Sequence, residues 1–447
     1  MKTVEIINFT IMCLFFLCYS YQFFYIPVSL LGKQRPLGRP RLHRYAVLIA
    51  ARNESAVIGQ LLDSIRGQDY PAELVDIFVV ADNCTDDTAA VAAAHGARVF
   101  CRRDTRHVGK GYAMAFLLEA MERRGFTAYD AYLVLDADNL IAPNYISEMN
   151  KTFSSGYAIV TSYRNSKNYG DNWISAGYAL WFLRESRYLN QARMLLGSSC
   201  AVSGTGFLFS RETLERCGGW HFFLLTEDIE FTIFNVLRGE RIGYCGSAVV
   251  YDEQPTDFRQ SWRQRLRWSR GYMQVFARYG GALLKGMFRG SLSCYDMAMN
   301  IMPAAILTCA SLVLNVGIAF FQFATGGDLA ALALSLGQTV CNLYLTLFVL
   351  GAITTATEWK KIHCPGGKKL LYMFTFPLFM FTYLPICIAS LFIDVQWQPI
   401  RHQRCMGLEE IGSGSRGQVP ALPRCPQKAP CSLAAASLSD HDQAVGS

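Results

Sequence analysis

At 447 residues the chain is long enough for two or three domains, and its 51% apolar content with a positive mean hydropathy is high for a soluble protein. That composition argues against a wholly soluble protein and for a membrane protein. The net charge of +7, from 42 Lys and Arg against 35 Asp and Glu, is modest and does not by itself call for a nucleic-acid partner.

Residues 7–31 run for 25 positions without a charge, more than the roughly 20 that cross a ~30 Å hydrocarbon layer. No small-residue cleavage site follows them, so residues 1–32 are read as a membrane anchor. Lys33, Arg35, Arg39, Arg41 and Arg44 come directly after it, and only Lys2 precedes it. Cations beside a span stay in the cytoplasm, which places the following block there. Three more apolar runs, 297–323, 329–355 and 370–393, form a C-terminal membrane cluster at 297–394 with two or three spans. Pro377 and Pro385 interrupt the last run, where a re-entrant or interfacial segment is the alternative to a straight span. The link 324–328 has no cation and is placed outside, whereas 358–369, with four lysines, is placed inside. Fifteen cysteines include no CxxC pair and are read as small, reduced, buried hydrophobes. Residues 405–447, rich in Ser, Ala, Gly and Pro, are expected to be disordered.

Between anchor and cluster, residues 44–280 alternate strands with helices, and 281–296 reads as an interfacial segment. "YAVLIAA" (45–51) is a short buried strand followed by "RNE"; "VDIFVVADNC" (75–84) stops at Asp82; "ARVFCR" (97–102) and "AYLVLDAD" (131–138) follow. This alternation implies right-handed crossovers and a mostly parallel, Rossmann-like sheet covered on both faces, with ligands at the carboxyl ends of its strands. Those ends carry Arg52, Glu54, Asp82, Asp136 and Asp138. Acidic strand ends would repel a phosphate backbone, so no nucleic acid is expected as partner.

Three stretches carry chemistry. Asp136 and Asp138 leave a strand at i and i+2, where two carboxylates on one side could share a hard divalent cation whose shell a diphosphate completes. "LLTEDIEF" (224–231) sets Glu227, Asp228 and Glu230 at a helix start, with Thr226 as N-cap. The same start is a rigid mount for a carboxylate that acts as a base. "WRQRLRWSRGY" (262–272) threads two Trp and a Tyr with four Arg and asks for an anionic partner that also offers apolar faces.

Asp82, the "DAD" pair, "TED" and the Gln264, Arg267 and Trp268 of "QRLRW" stand in the order and approximate spacing of the family 2 glycosyltransferases. Over residues 44–280 the chain resembles most the membrane-bound polysaccharide synthases of the cellulose, chitin, hyaluronan and poly-N-acetylglucosamine kind. The resemblance implies an α/β GT-A domain joined to transmembrane helices. It also implies an inverting hexosyl- or N-acetylhexosaminyltransferase that moves a sugar from a UDP-sugar to a growing extracellular polysaccharide. A non-processive enzyme acting on a lipid acceptor, such as a polyprenyl phosphate or a ceramide-like lipid, is the alternative. By the same resemblance Arg52, Glu54, Asp82, Lys110 of "GKGYA", Asp136 and Arg267 hold the donor, and Asp136 with Asp138 holds Mg²⁺ or Mn²⁺. Asp228, with Glu227 as the other candidate, takes the acceptor proton, and Gln264 and Trp268 face the acceptor glycan or lipid-linked sugar. Arg263, Arg265 and Arg270 fall on other helix faces, where membrane lipid headgroups are the expected neighbours. The segment "QWQPIRH" (396–402) resembles one in bacterial members, which points to a multi-pass bacterial plasma-membrane protein.

Overall fold

Strands form where β-branched and aromatic side chains can be buried on both faces of a sheet. The computed structural model describes residues 2–33, 39–301, 303–326, 329–395, 402 and 406–412. In it β1 (Tyr45–Ala51), β2 (Val75–Asp82), β3 (Arg98–Arg102) and β4 (Ala131–Asp136) pair in parallel, with Ala51 beside Ala81 and Ala50 beside Asp136. The carboxyl ends of β1, β2 and β4 are therefore level. β5 (Leu140–Ile141), β6 (Ile159–Ser166), β7 (Phe207–Ser210) and β8 (Ile242–Asp252) complete a sheet of order β3-β2-β1-β4-β7-β6-β8-β5. β7 is antiparallel to both β4 and β6, which leaves those two parallel to each other, and β8 is parallel to β6. Asp136, Ser166 and Asp252 consequently end their strands on one edge.

Period-two alternation sends successive side chains into two cores. Val47, Ile49, Val79 and Leu133 pack with Ile58 and Leu62 on one face, while Leu48, Phe78, Val80 and Val134 pack with Met114 and Leu117 on the other.

Three helices, Phe9–Leu31, Leu336–Thr357 and Gly366–Phe392, are long and apolar enough to cross a membrane, and they mark the chain as membrane-associated. The apolar run 297–323 divides between two helices. Leu292–Ile301 buries Met297, Ala298, Met299 and Ile301 in the core, and Pro303–Thr325 follows. In the last run the helix gives way at Thr382, between Gly366–Phe381 and Tyr383–Phe392, three residues before Pro385. The segment 281–296 is split likewise: its first residues finish the long helix Phe258–Phe288 and its last belong to Leu292–Ile301. None of the described cysteines forms a disulfide; four of them are buried and three exposed. Of the tail, Leu408–Gly412 forms a short helix; Arg35, residues 396–401 and residues 413–447 lie outside the described residues.

One buried polar knot ties the anchor to the rest. Arg193 donates to Asp296 through Nε at 2.9 Å and Nη2 at 2.7 Å, and Tyr25 and Tyr21 of the first helix donate to the same carboxylate at 2.8 and 3.1 Å. Both charged side chains are 0% exposed, a placement that proteins tolerate only when the ions are paired and hydrogen-bonded.

Candidate functional site

The site is assembled from the chain just beyond each strand end. Asn53 and Asn83 follow β1 and β2 with φ of 59° and 53°, left-handed values that asparagine accepts more readily than most residues. Asn53 Oδ1 accepts from the Thr85 amide at 2.8 Å and Asn83 Oδ1 from the Asp104 amide at 3.0 Å, so the loops are tied together. Glu54 is thereby set, buried, before the helix Ile58–Arg66, and burial with Asp136 and Asp138 nearby pushes its carboxyl up to about 7. Arg52 lies half-buried at the mouth of β1. Asp82 accepts from Arg102 at 2.7 Å in a buried ion pair, and Arg102 also holds Asp104 at 3.0 Å and the His107 carbonyl at 2.8 Å. Through Arg102, Asp82 shapes the loop that delivers Lys110.

Lys110 is placed by its two glycines. Gly109 has a φ of 142°, and a Cβ on Gly111 would lie 2.0 Å from the Phe222 carbonyl oxygen, so only glycine fits either position. The Lys110 ammonium donates to Asp136 Oδ1 and, at 2.7 Å, to the Gly204 carbonyl. Strand alternation stops at Asp136, so a turn places the two carboxylates: Asn139 donates its amide to the Asp136 carbonyl at 3.0 Å and accepts from the Asp136 amide at 3.0 Å. Asp136 faces Lys110, whereas Asp138 is buried towards the end of β8, where its Oδ2 accepts from the Glu253 amide at 3.0 Å. Burial opposes the charge on Asp138, but His402, Lys167, the Glu253 amide and Arg164 together hold its carboxyl below the usual range.

Glu227 and Asp228 open the helix Glu227–Leu237 as expected, with Thr226 in the cap position but making no side-chain cap. Burial, then Asp228, pushes the Glu227 carboxyl up to about 7 against the pull of Lys110 and Arg267; Asp228 is also raised, chiefly by burial. Glu230 has a different task. Fully buried, it accepts from the Leu224 amide at 3.0 Å, Arg278 at 2.8 Å and Tyr279 at 3.2 Å, holding the preceding loop to the long helix. Gly271 lets that helix press on the same start, since a Cβ there would meet Thr226 Cγ2 at 2.6 Å.

Arg267 donates to the Leu225 carbonyl at 2.7 Å, one residue before Thr226. Trp268 meets Tyr178 edge-on at 5.7 Å and Phe182 at 6.1 Å, in an aromatic cluster shared with Phe379 and Tyr383. Gln264, one turn earlier, is half-buried with an Oε1 that has no hydrogen-bond partner among the described residues. Arg265 corrects the lipid-facing expectation. It is 0% exposed, donates to Thr382 Oγ1 at 2.6 Å and the Phe379 carbonyl at 3.3 Å, and lies 4.5 Å from the Phe379 ring. The reason is the helix break at Thr382: the carbonyl end of the preceding segment is a negative pole, and the Phe379 carbonyl, which already accepts from the Thr382 amide and hydroxyl, also accepts from the buried guanidinium. Arg270 similarly reaches the Ser390 carbonyl at 3.3 Å, while Arg263 is exposed.

Several residues of the site were not named from the sequence as site residues. Thr205 donates to Asn139, a pairing that spacing could not reveal, Arg164 pairs with Asp252 at 2.6 Å, and His402, the last residue of "QWQPIRH", comes from beyond the last apolar helix. Its Nδ1 lies 3.0 and 3.1 Å from the two Glu54 oxygens and its Nε2 3.8 Å from Asp138 Oδ2. Burial opposes a charged imidazole, but Asp138, Glu54 and Glu253 push it up to about 10. The carboxylates thus gather positive partners, Lys110 on Asp136 and His402 between Glu54 and Asp138. That donor set of oxygens and one imidazole suits a divalent cation. Among the described residues no three His, Cys, Asp or Glu side chains converge closely enough to hold a metal by themselves.

The family described as "Glycosyltransferase like family 2" matches residues 40–271, just over half of the chain. The chain is 27% identical over 274 residues to the beta-monoglucosyldiacylglycerol synthase of Nostoc sp., covering 60% of this chain and 57% of that protein. It is 25% identical over 257 residues to the poly-beta-1,6-N-acetyl-D-glucosamine synthase of Staphylococcus epidermidis, covering 55% of this chain and 60% of that one. The matches therefore span less than two thirds of the length of these relatives. Among solved structures, a mannosyltransferase from Pyrobaculum calidifontis in complex with GDP-Man and Mn²⁺ matches 86% of this chain and 98% of its own with a TM-score of 0.54 at 17% identity, a likeness of fold. With strand-end carboxylates, a helix-start acidic pair and a cationic aromatic helix set in a GT-A fold, and with the family match running across all of them, the chain belongs to the glycosyltransferase-like family 2.

Proposed function

We propose that the chain transfers a sugar from a UDP-sugar, with inversion, to a growing polysaccharide at the membrane face. The observation that carries this reading is an acidic helix start, Glu227 and Asp228, set among two cations: Lys110, which donates to Asp136 at the end of β4 and to the Gly204 carbonyl, and Arg267, which donates to the Leu225 carbonyl two residues before Glu227. Such a pairing suits a base beside a leaving diphosphate. Asp228 takes the proton of the acceptor hydroxyl as that oxygen attacks the anomeric carbon from the face opposite the diphosphate, and the single displacement inverts the centre. Lys110 and Arg267 stabilise the charge that grows on the leaving group. Glu54, Asp82 and Arg52 line the nucleoside side, and Trp268 with Gln264 receives the acceptor. Asp138, with Asp136, would hold Mg²⁺ or Mn²⁺; when bound, the cation neutralises the diphosphate. The Mn²⁺ bound with GDP-Man in the similarly folded mannosyltransferase supports that choice. The globular domain is assigned to the cytoplasmic side of a bacterial plasma membrane.

A second reading, single addition to a lipid such as a polyprenyl phosphate or ceramide-like acceptor, is favoured by a relative named as a monoglucosyldiacylglycerol synthase. Incubating membranes that contain the chain with a panel of labelled UDP-sugars, with and without EDTA, separates the cases. A long product from one donor, abolished by EDTA, supports the first. A product one sugar larger than a lipid establishes the second, and turnover of no nucleotide sugar removes both.

A further inference from the structure

Glu358 stands where a carboxylate is disfavoured on two counts. It follows directly on the apolar helix Leu329–Thr357, at the negative end of the helix dipole, and it is 3% exposed. Tyr163 of β6 donates to its Oε2, Arg187 lies 3.2 Å from Oε1, and Lys361 lies 3.1 Å from Oε2. Beside it the hydroxyls of Tyr188 and Thr357 meet. The partners on the globular side lie in irregular backbone. The register of β6 against β8 shifts between Ser162 and Tyr163, and Arg187 and Tyr188 belong to a π-helical stretch, Glu185–Asn190; such interruptions are frequent at functional sites. The two are tied together, since the Arg164 amide donates to Ser186 Oγ at 3.1 Å. Both then converge on Ser203: Arg164 Nη1 donates to its carbonyl at 2.9 Å, and its hydroxyl donates to Glu185 at 2.7 Å. The next residue, Gly204, supplies the carbonyl that holds Lys110 at 2.7 Å. Arg164, Glu185, Ser203 and Thr205 line a cavity, so on that side hydrogen bonds rather than close packing set the place of the loop.

We propose that Glu358 is a positioning residue for the transfer. By fixing Tyr163 and Arg187 from the membrane side it sets Ser203 and Gly204, and through them the Lys110 ammonium that steadies the leaving diphosphate. The inference rests on the role given to Lys110 above. The end of a membrane helix thereby becomes part of the catalytic geometry, and the local rules broken at Glu358 are those a fold breaks where a site depends on the result.

The test measures transfer kinetics of the full chain in lipid nanodiscs, with the UDP-sugar that the donor panel identifies, and melting in the same preparations. Lys110→Met should lower kcat roughly 10²- to 10³-fold. Glu358→Gln should lower it roughly 10- to 100-fold with little change in the donor KM, and Tyr163→Phe, which leaves the ion pairs in place, should show the same split at smaller size. Once Lys110 is gone there is nothing left to place, so Glu358→Gln should add less than about twofold in the Lys110→Met background. Lys368→Ala removes a different tie between the membrane cluster and the globular block, the 2.7 Å bond to the Gly170 carbonyl, and should keep full turnover. Wild-type kcat in Glu358→Gln overturns the proposal. So do losses that multiply in the double variant, or a loss in Lys368→Ala as large as that in Glu358→Gln, since either makes Glu358 a structural staple. Should Glu358→Gln fail to fold, Tyr163→Phe in the two backgrounds decides by the same criterion. Multiplying losses leave the role of Lys110 intact, whereas wild-type turnover in Lys110→Met removes that role and this proposal together.

Discussion

Replacing Gly271 with alanine puts one methyl group at the point where the cationic helix meets the acidic helix start. The added Cβ would lie 2.6 Å from Thr226 Cγ2, 2.7 Å from its Oγ1 and 3.0 Å from its amide nitrogen. Carbon contacts normally sit at about 3.5–4.0 Å, so the two helices must part by roughly 1 Å. Overpacking of that kind costs about 1–3 kcal/mol, offset by about 1 kcal/mol from the better helix propensity of alanine, leaving a net loss of about 0–2 kcal/mol. The catalytic effect is larger. A displacement near 1 Å at a reacting group costs on the order of 10²-fold, or about 2.7 kcal/mol of barrier. Gly281, in the same helix, has open space where a Cβ would point, with nothing within 4 Å, so Gly281→Ala controls for helix propensity and should keep full turnover. The assay is transfer of labelled sugar in nanodiscs, with melting followed in the same preparations. Wild-type kcat in Gly271→Ala, together with a small stability loss, would refute the idea that this contact sets the position of Glu227 and Asp228.

Other expectations follow from the same geometry. Asp228→Asn should lower turnover roughly 10²- to 10⁴-fold with little change in UDP affinity measured by calorimetry, and Glu227→Gln is its control; parallel loss of UDP binding would move Asp228 into the donor site. Because burial and Asp228 raise Glu227 to about 7, with Asp228 itself raised, the basic form of the pair grows with pH. Transfer should therefore rise about tenfold per pH unit on the acid side and level off above neutrality, and a profile flat down to pH 5 would exclude this pair as the base. Trp268→Ala should reduce transfer far more than slow donor hydrolysis, while Arg267→Ala reduces both; equal ratios of transfer to hydrolysis in the two variants would separate Trp268 from the acceptor.

The strand ends and the acidic helix start were legible because each is local. An apolar run that stops at an aspartate and a Thr-Glu-Asp before an amphipathic helix declare themselves within a few residues. What stayed hidden depends on partners far along the chain. Helical spacing sets Arg265 beside Trp268, three residues on, but it cannot say that a membrane helix breaks beside them and offers Phe379 and Thr382. Nor can spacing tell that Glu230, two residues after Asp228, turns inward to Arg278 and Tyr279. His402 is a single histidine separated from Glu54 by 348 positions, and a lone residue has no period.

The knot around Asp296 also bears on how the protein is made. Tyr25, in the helix Lys2–Leu31, has its partner 271 residues downstream. At about 5–20 residues per second, that helix waits roughly 15–55 s before the carboxylate it binds has been synthesised. During that interval its tyrosine hydroxyls must be satisfied by lipid headgroups, water or an insertion factor. Slowing translation between the two sites would lengthen the exposure, and the anchor and the membrane cluster can close on each other only after most of the globular domain already exists.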